Sequence, residues 1–284
     1  MKRLAIVVPY RDRQQHLGQF IPHMRAYFAR DKLDRAIDYR VLIVKQEPGL
    51  PFNRGALKNI GFTLAEPHSD YCCFHDIDYL PIWADYSWVD VPTPIVWYGA
   101  GERPIAPGRS NRIVRHTMDQ FFGGAVLVPN SAFRAVDGYS NDYWGWGFED
   151  VDFQLRFGAA GIEAGRRKGT FLPLAHDSEG VKLDLTPTPI AEVNHRLVQD
   201  RWAKGAPAIK DGVSTLAFDV IERKTLPDPS PERPAPGRRS RCGSGAARAS
   251  SNRRRCPRLS QFLPVVRHDW GVPVIKGPWG SVGT

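Results

Sequence analysis

The stretch from Trp144 to Asp152 reads Trp-Gly-Trp-Gly-Phe-Glu-Asp-Val-Asp, and it concentrates three carboxylates directly behind two large rings. Flat rings spaced by glycines can lie against the apolar face of a sugar, while the glycines let backbone and ligand approach closely. Glu149, Asp150 and Asp152 then open a helix, where the helix dipole favours negative charge. A carboxylate held there can take a proton from a hydroxyl. Ordinary helix-start chemistry with a core Trp pair is the competing reading, and three acids immediately after such a turn favour the functional one.

Upstream, Asp76-Ile77-Asp78 follows the apolar run Tyr71 to His75. A strand that delivers two carboxylates at its C-terminal end puts them where α/β sheets bind ligands. Two hard oxygen donors suit Mg²⁺ or Mn²⁺ bridging nucleotide phosphates, and the pair fits a solvated loop start equally well. His176, after the apolar Phe171 to Ala175, is a weaker candidate metal ligand. Arg11 and Arg13 follow the first strand at Pro9, and Phe52 and Arg54 stand at a helix start. Their guanidiniums suit phosphate, and solvated turns are the even alternative. Gly123 and Gly124 mark a bulge or a close approach of a sugar to backbone.

The elements that must position these residues read as an α/β chain. Strands are expected over Leu4–Val8, Tyr39–Val44, Tyr71–His75 and Phe121–Val128, with another over Phe171–Ala175. Helices are expected over Gln14–Ala29, from Asn53 as a cap through Phe62, over Asn130–Val136 and over Glu149–Phe157. Residues 83–118, rich in Pro, Gly and Arg, read as a long functional loop. One folded domain is expected over residues 1–226. The Pro-, Arg- and Ser-rich residues 227–260 read as a disordered tail, and 261–284 remain unassigned.

Charge and cysteines narrow the function classes. The chain's net charge is +9, and +7 of it lies between Asp228 and Arg258, where nine Arg face two acids. The basic character belongs to the tail, so no specific nucleic-acid partner is expected; peripheral contact with a membrane surface through that tail is. Cys72 and Cys73 read as buried thiols, and Cys242 and Cys256 lie in the tail. No run of about 18 apolar residues spans a bilayer. Pro9 to Arg13 interrupts what a signal peptide would need, so a cytoplasmic protein, working at the inner membrane face, is the expectation.

Taken in order, PYRDR, FNRGALKNIGF, HDIDYLP, FFGGAVLVP and DGYSNDYWGWGFEDVDFQLR resemble the β-1,4-galactosyltransferase family over roughly residues 4–224. Asp211 to Leu216 looks like that family's terminal strand region, and His75 before the D-x-D looks most like the branch that transfers galactose to xylose. The resemblance implies a soluble, bacterial-type member with a GT-A, Rossmann-like nucleotide-sugar-binding fold. It implies a UDP-galactose donor, Mn²⁺ with Mg²⁺ as the other fitting ion, a glycan or glycolipid acceptor, and inversion at the anomeric carbon. It further implies Asp150 as base, Glu149 at the sugar, Asp78 and His176 at the metal, and Asp76 near the donor's ribose and phosphate. Trp146 would close over the donor, with Pro9, Arg11, Arg13, Phe52 and Arg54 around the nucleotide and Phe121, Gly123 and Gly124 around the sugar.

Four positions depart from the family's pattern. Pro173 and Leu174 stand where a second Met or His ligand belongs, and Val151 replaces an acid. Phe121 stands where a Tyr favours galactose; it keeps the bulk, which favours UDP-galactose over UDP-N-acetylgalactosamine. UDP-glucose is a further donor alternative, and a sugar-binding protein with a decayed site is the rival class.

Overall fold

The computed structural model describes residues 1–30, 37–99, 101–106, 109–113, 121–175, 189–203, 205, 211–226 and 270–276. Its centre is β1 (Arg3–Tyr10), flanked in parallel by β2 (Asp38–Gln46) and β3 (Tyr71–His75). The register pairs Leu4 with both Tyr39 and Tyr71, so the three strands end along one edge. A central parallel strand is covered on both faces, which is why Leu4 to Val8 is apolar without alternation.

Each face has its own helix. Leu4, Ile6 and Val8 pack with Phe20, Met24 and Phe28 of α1 (Gln14–Ala29). Ala5 and Val7 pack with Leu57 and Ile60 of α2 (Arg54–Ala65). The approach of α2 is close: a Cβ at Gly61 would stand 2.2 Å from Val7 Cγ1. Asn53 caps α2 as expected, its side chain accepting from Ala56 N at 2.9 Å. Cys72 and Cys73 are buried free thiols on β3.

Beyond β3 the chain forms β4 (Tyr79–Trp83), then β5 (Thr93–Pro94), β6 (Val96–Gly99), β7 (Gly101–Ala106) and β8 (Arg109–Ile113). Much of the stretch expected as loop is therefore short strand. Pro and Gly punctuation hid it: β5 and β6 take partners far along the chain, while β7 and β8 pair with each other. β9 (Ala125–Pro129) runs antiparallel to β3 and joins β5 to the main sheet. It starts four residues later than expected, since Phe121 to Gly124 form an irregular approach with Gly124 at φ +73°.

The short α3 (Asn130–Ala135) and α4 (Glu149–Ala159) follow, and both match expectation within two residues. β10 (Gly169–Pro173) pairs β4 and β6 in a second, three-stranded sheet. α5 (Pro189–Trp202) had no counterpart among the expected helices. Val213–Thr215, expected in a strand region, is a 3₁₀ turn, with β11 (Asp219–Thr225) after it.

The last described element is β12 (Trp270–Lys276), in the unassigned end of the chain. It inserts between β2 and β11, giving the order β11-β12-β2-β1-β3-β9-β5. Residues 227–260, expected to be disordered, lie outside the described residues. No helix among the described residues is long and apolar enough to cross a membrane.

Candidate active site

The common edge of β1 and β3 collects the site. Asp76 leaves β3 with its amide donating to Gly124 O at 2.7 Å, which ties the D-x-D to the glycine pair before β9. Ile77 is buried between the two acids, and Tyr79 N closes the turn onto Asp76 O at 3.3 Å. Leu174 N donates to Asp78 O at 2.6 Å, so the chain leaving β10 runs beside Asp78. His176 comes two residues later and lies outside the described residues. Leu174 packs against the apolar core, as expected of a residue that cannot ligate a metal.

His75 is fully buried. Its Nδ1 lies 2.9 Å from Asp76 O and its Nε2 2.9 Å from Tyr86 Oη. Burial pushes its pKa down to about 4, so the ring is neutral and braces the strand end.

Arg54, the first residue of α2, reaches Glu149 Oε1 at 3.0 Å and lies 3.8 Å from Asp76 Oδ2. One turn on, Lys58 Nζ is 3.8 Å from the same Glu149 oxygen and 4.6 Å from the Tyr139 ring centre. Lys58 is 2% exposed and was not singled out in the sequence. The available signal was a lysine four residues after Arg54, among the mostly apolar residues of the helix. Burial alone would push Glu149 up, but Arg54 and Lys58 more than offset it and hold the carboxyl below its ordinary value.

Asp150 differs from Glu149 in its surroundings. Burial, then the neighbouring Glu149 charge, push it up to about 6, with Lys58 and Arg54 pulling the other way. A carboxylate of that basicity is suited to accept a proton near neutral pH. Its Oδ1 accepts from Val151 N at 2.9 Å, and its Oδ2 lies over Gly123. A Cβ at position 123 would stand 2.6 Å from Asp150 Oδ2 and 2.8 Å from the Phe121 ring. Gly123→Ala is therefore expected to displace the carboxylate and cut turnover by about 100-fold, given the cost of a 1 Å misplacement. Its thermal midpoint should stay close to that of the parent; wild-type turnover would show that the Gly123 contact does not matter.

The third acid plays no part at this edge. Asp152 is fully buried, and its oxygens accept from Arg156 Nε at 2.7 Å, Trp202 Nε1 at 2.9 Å and Tyr143 Oη at 3.3 Å. Arg201 Nη1 adds a contact at 3.4 Å. The run of three acids thus divides into two at the site and one in a structural network. Val151, between them, is 40% exposed.

The turn before α4 has Gly145, Gly147 and Phe148 at φ +75°, +98° and +71°. Gly145 N donates to Phe52 O at 2.7 Å, joining it to the expected nucleotide-binding residues. Trp146 is half-buried in that turn. The Arg11 guanidinium stands over the Phe52 ring at 5.2 Å, and Pro9 is buried at the end of β1. Arg13 occupies the position before α1. The Phe121 ring covers Gly123 and Gly124, with Tyr79 at 6.4 Å, and Arg166 donates to Phe121 O at 3.0 Å.

The donor set fits a divalent ion held jointly with phosphate. The charges of Asp76, Asp78, Glu149 and Asp150 all act on Arg54, and with Lys58 the site carries two cations against four acids. Fully ionised, the edge is two charges negative, and its donors are hard oxygens. Among the described residues no group of three His, Cys, Asp or Glu comes together to hold a metal. An ion there would need ligands from a substrate or from His176, and hard divalent ions bound through one or two carboxylates plus phosphates are of that kind.

Residues 1–88 match the family described as the N-terminal region of glycosyl transferase group 7, and residues 109–177 match the N-terminal domain of galactosyltransferase. Together the matches take in more than half of the chain. The chain belongs to the β-1,4-galactosyltransferase family.

Within that family the chain is 35% identical over 164 residues to β-1,4-galactosyltransferase 7 of Drosophila melanogaster, covering 58% of this chain and 47% of the relative. It is 33% identical over 232 residues to β-1,4-galactosyltransferase 7 of Homo sapiens, covering 79% and 63%. It thus spans about half to three-fifths of these relatives' lengths. The crystal structure of a Drosophila β-1,4-galactosyltransferase 7 variant with manganese, UDP-Gal and xylobiose aligns with a TM-score of 0.59 at 26% identity, over 80% of this chain and 89% of that one. The fold is accordingly the GT-A type expected for a β-1,4-galactosyltransferase, with the acidic turn, the glycine pair and the α2 cations at one sheet edge.

Proposed function

We propose that this chain transfers galactose from UDP-galactose to a sugar hydroxyl, with inversion and with Mn²⁺ as cofactor. The observation that carries the proposal is Asp150: a partly buried carboxylate pushed up to about 6, seated over Gly123 beside the cation-bound Glu149. Such a group can hold a proton at the reacting face, while the neighbouring carboxylate stays ionised and able to accept a hydrogen bond from the sugar.

In the reaction Asp150 Oδ2 takes the proton of the acceptor's hydroxyl as the hydroxyl oxygen bonds the anomeric carbon. The anomeric bond to UDP breaks in the same step, its electrons leaving with UDP. The products are the galactoside, UDP and a proton that Asp150 returns to solvent. Asp78 would hold the divalent ion, which would supply charge neutralisation for the departing diphosphate. Arg54 and Lys58 offset the acids on the protein side, and Arg11 and Phe52 offer a cation and a ring to the nucleotide. Trp146 covers the sugar.

Galactose and Mn²⁺ are favoured because the Drosophila relative was crystallised with both manganese and UDP-Gal, and xylobiose in that crystal makes β-xylosides the first acceptors to try. Retention of all four acids weighs against a decayed sugar-binding protein. UDP release is to be measured with UDP-galactose, UDP-GalNAc and UDP-glucose, with and without a β-xyloside. Acceptor-dependent release with UDP-galactose, lost on chelation and restored by Mn²⁺, is expected. Transfer undiminished by chelation would remove the metal from the proposal, and preference for another UDP-sugar would reassign the donor.

A further inference from the structure

We propose that Asn194 of α5 is a positioning residue for the Trp-Gly-Trp-Gly turn, holding it in donor-binding form through both hydrogens of one side-chain amide. Asn194 Nδ2 donates to Trp144 O at 2.9 Å and to Trp146 O at 3.0 Å, and the residue is 2% exposed. The two carbonyls flank Gly145, so one amide fixes both ends of the segment that carries Trp146.

Two more α5 residues grip the same turn. Ile190, one helical turn before Asn194, fills the space beside Gly145, where a Cβ would come within 2.2 Å of Ile190 Cδ1. The His195 ring stacks on Phe148 at 4.7 Å and 11°. Phe148 holds a left-handed backbone at the entry to α4, a conformation that costs about 1–3 kcal/mol and persists only when neighbours enforce it. From the opposite side, Phe52 O accepts from Gly145 N. The turn is therefore seated between the expected nucleotide-binding residues and α5.

This seating has a chemical consequence. Any swing of the Trp146 main chain must break an Asn194 bond, and a turn without Asn194 must be ordered again by each incoming donor. Donor binding then weakens, while Asp150, anchored over Gly123 one helix entry later, keeps its place. The inference rests on the galactosyl-transfer reading for its kinetic arm and on the turn alone for its structural arm.

Asn194→Ala removes both donors. Asn194→Asp keeps the shape but sets a carboxylate against two carbonyls, and Asn194→Gln keeps the donors on a longer arm. The KM for UDP-galactose is expected to rise about tenfold in Asn194→Ala, in line with two lost hydrogen bonds. Asn194→Asp should rise further and Asn194→Gln less, with kcat within about threefold of the parent throughout, because the base is untouched. A merely structural residue would lower kcat and stability together without that split.

Amide hydrogen exchange of the ligand-free full-length protein supplies the structural arm. Exchange over residues 144–148 should accelerate in Asn194→Ala and Asn194→Asp, while β1 and α2 stay protected. Parent-like exchange in both variants overturns the proposal, as does a parent-like KM in both. If the parent shows no binding of UDP-galactose with Mn²⁺ by calorimetry, the transfer reading fails, and exchange over 144–148 still decides the role of Asn194.

Discussion

Asp150→Asn is expected to lower kcat for sugar transfer by about 10²–10⁴-fold, the range general-base catalysis contributes. Asparagine keeps the size of the side chain and can still accept from Val151 N through Oδ1, so the turn onto α4 should survive the change. What it loses is the basic lone pair over Gly123. Binding of UDP-galactose should change little, which separates this variant from any that disturb the nucleotide contacts. Wild-type kcat in Asp150→Asn would show that another group takes the proton.

The same residue sets a pH profile with a definite sign. Burial and the Glu149 charge raise Asp150 to about 6, so the group is protonated, and unable to act as a base, below that pH. Transfer should rise as pH is raised through about 6 and level off above it. His75 cannot mimic this limb, because burial has already pushed it down to about 4. Asp150→Asn should leave a low rate without the limb. A limb that persists in the variant would belong to a different group.

The largest expected loss of stability lies elsewhere on α4. Arg156 is fully buried, with Nε on Asp152 at 2.7 Å, Nη2 on Asp211 Oδ1 at 2.6 Å, and Nη1 donating to Asp211 O at 2.8 Å and Gly138 O at 3.2 Å. Asp211 also accepts from Ser140 Oγ and faces Arg201 at 3.4 Å. One guanidinium thus joins α4, the 136–140 segment and the chain entering the 3₁₀ turn. Arg156→Met leaves Asp152 buried with fewer donors and is expected to cost about 3–5 kcal/mol, the usual penalty for orphaning a buried charge. Urea unfolding measures it, and Arg156→Met combined with Asp152→Asn should recover part of the loss, since the pair couples directly. A loss under about 1 kcal/mol would mean that solvent or the Arg201 charge takes over.

The limits of α1, the Asn53 cap of α2, the extent of β3 and the entry to α4 were all legible in the sequence, because each depends on groups within a few residues. Helical spacing of apolar side chains, an Asn three residues before the amide it accepts from, and a β-branched run are local signals. The ordered motifs were equally legible as a family likeness, and they led to the acids at the strand edge.

Tertiary structure decided the surroundings of each acid. Glu149, Asp150 and Asp152 are chemically alike in sequence, yet their neighbours separate them. Arg54 and Lys58 hold the first ionised, burial over Gly123 raises the second, and Arg156, Arg201 and Trp202 draw the third into the interior. Those partners lie up to 95 residues away, as with Arg54 and Glu149, and no local pattern encodes them. α5 was unreadable for a related reason: its buried face is Ala191, Asn194 and Val198, with a polar residue at the centre and Val193 exposed. Asn194 is buried because two carbonyls of a distant turn satisfy it, and that pairing exists only once the chain has folded. β12 likewise acquires its place from β2 and β11, through ladder hydrogen bonds that its own seven residues cannot announce.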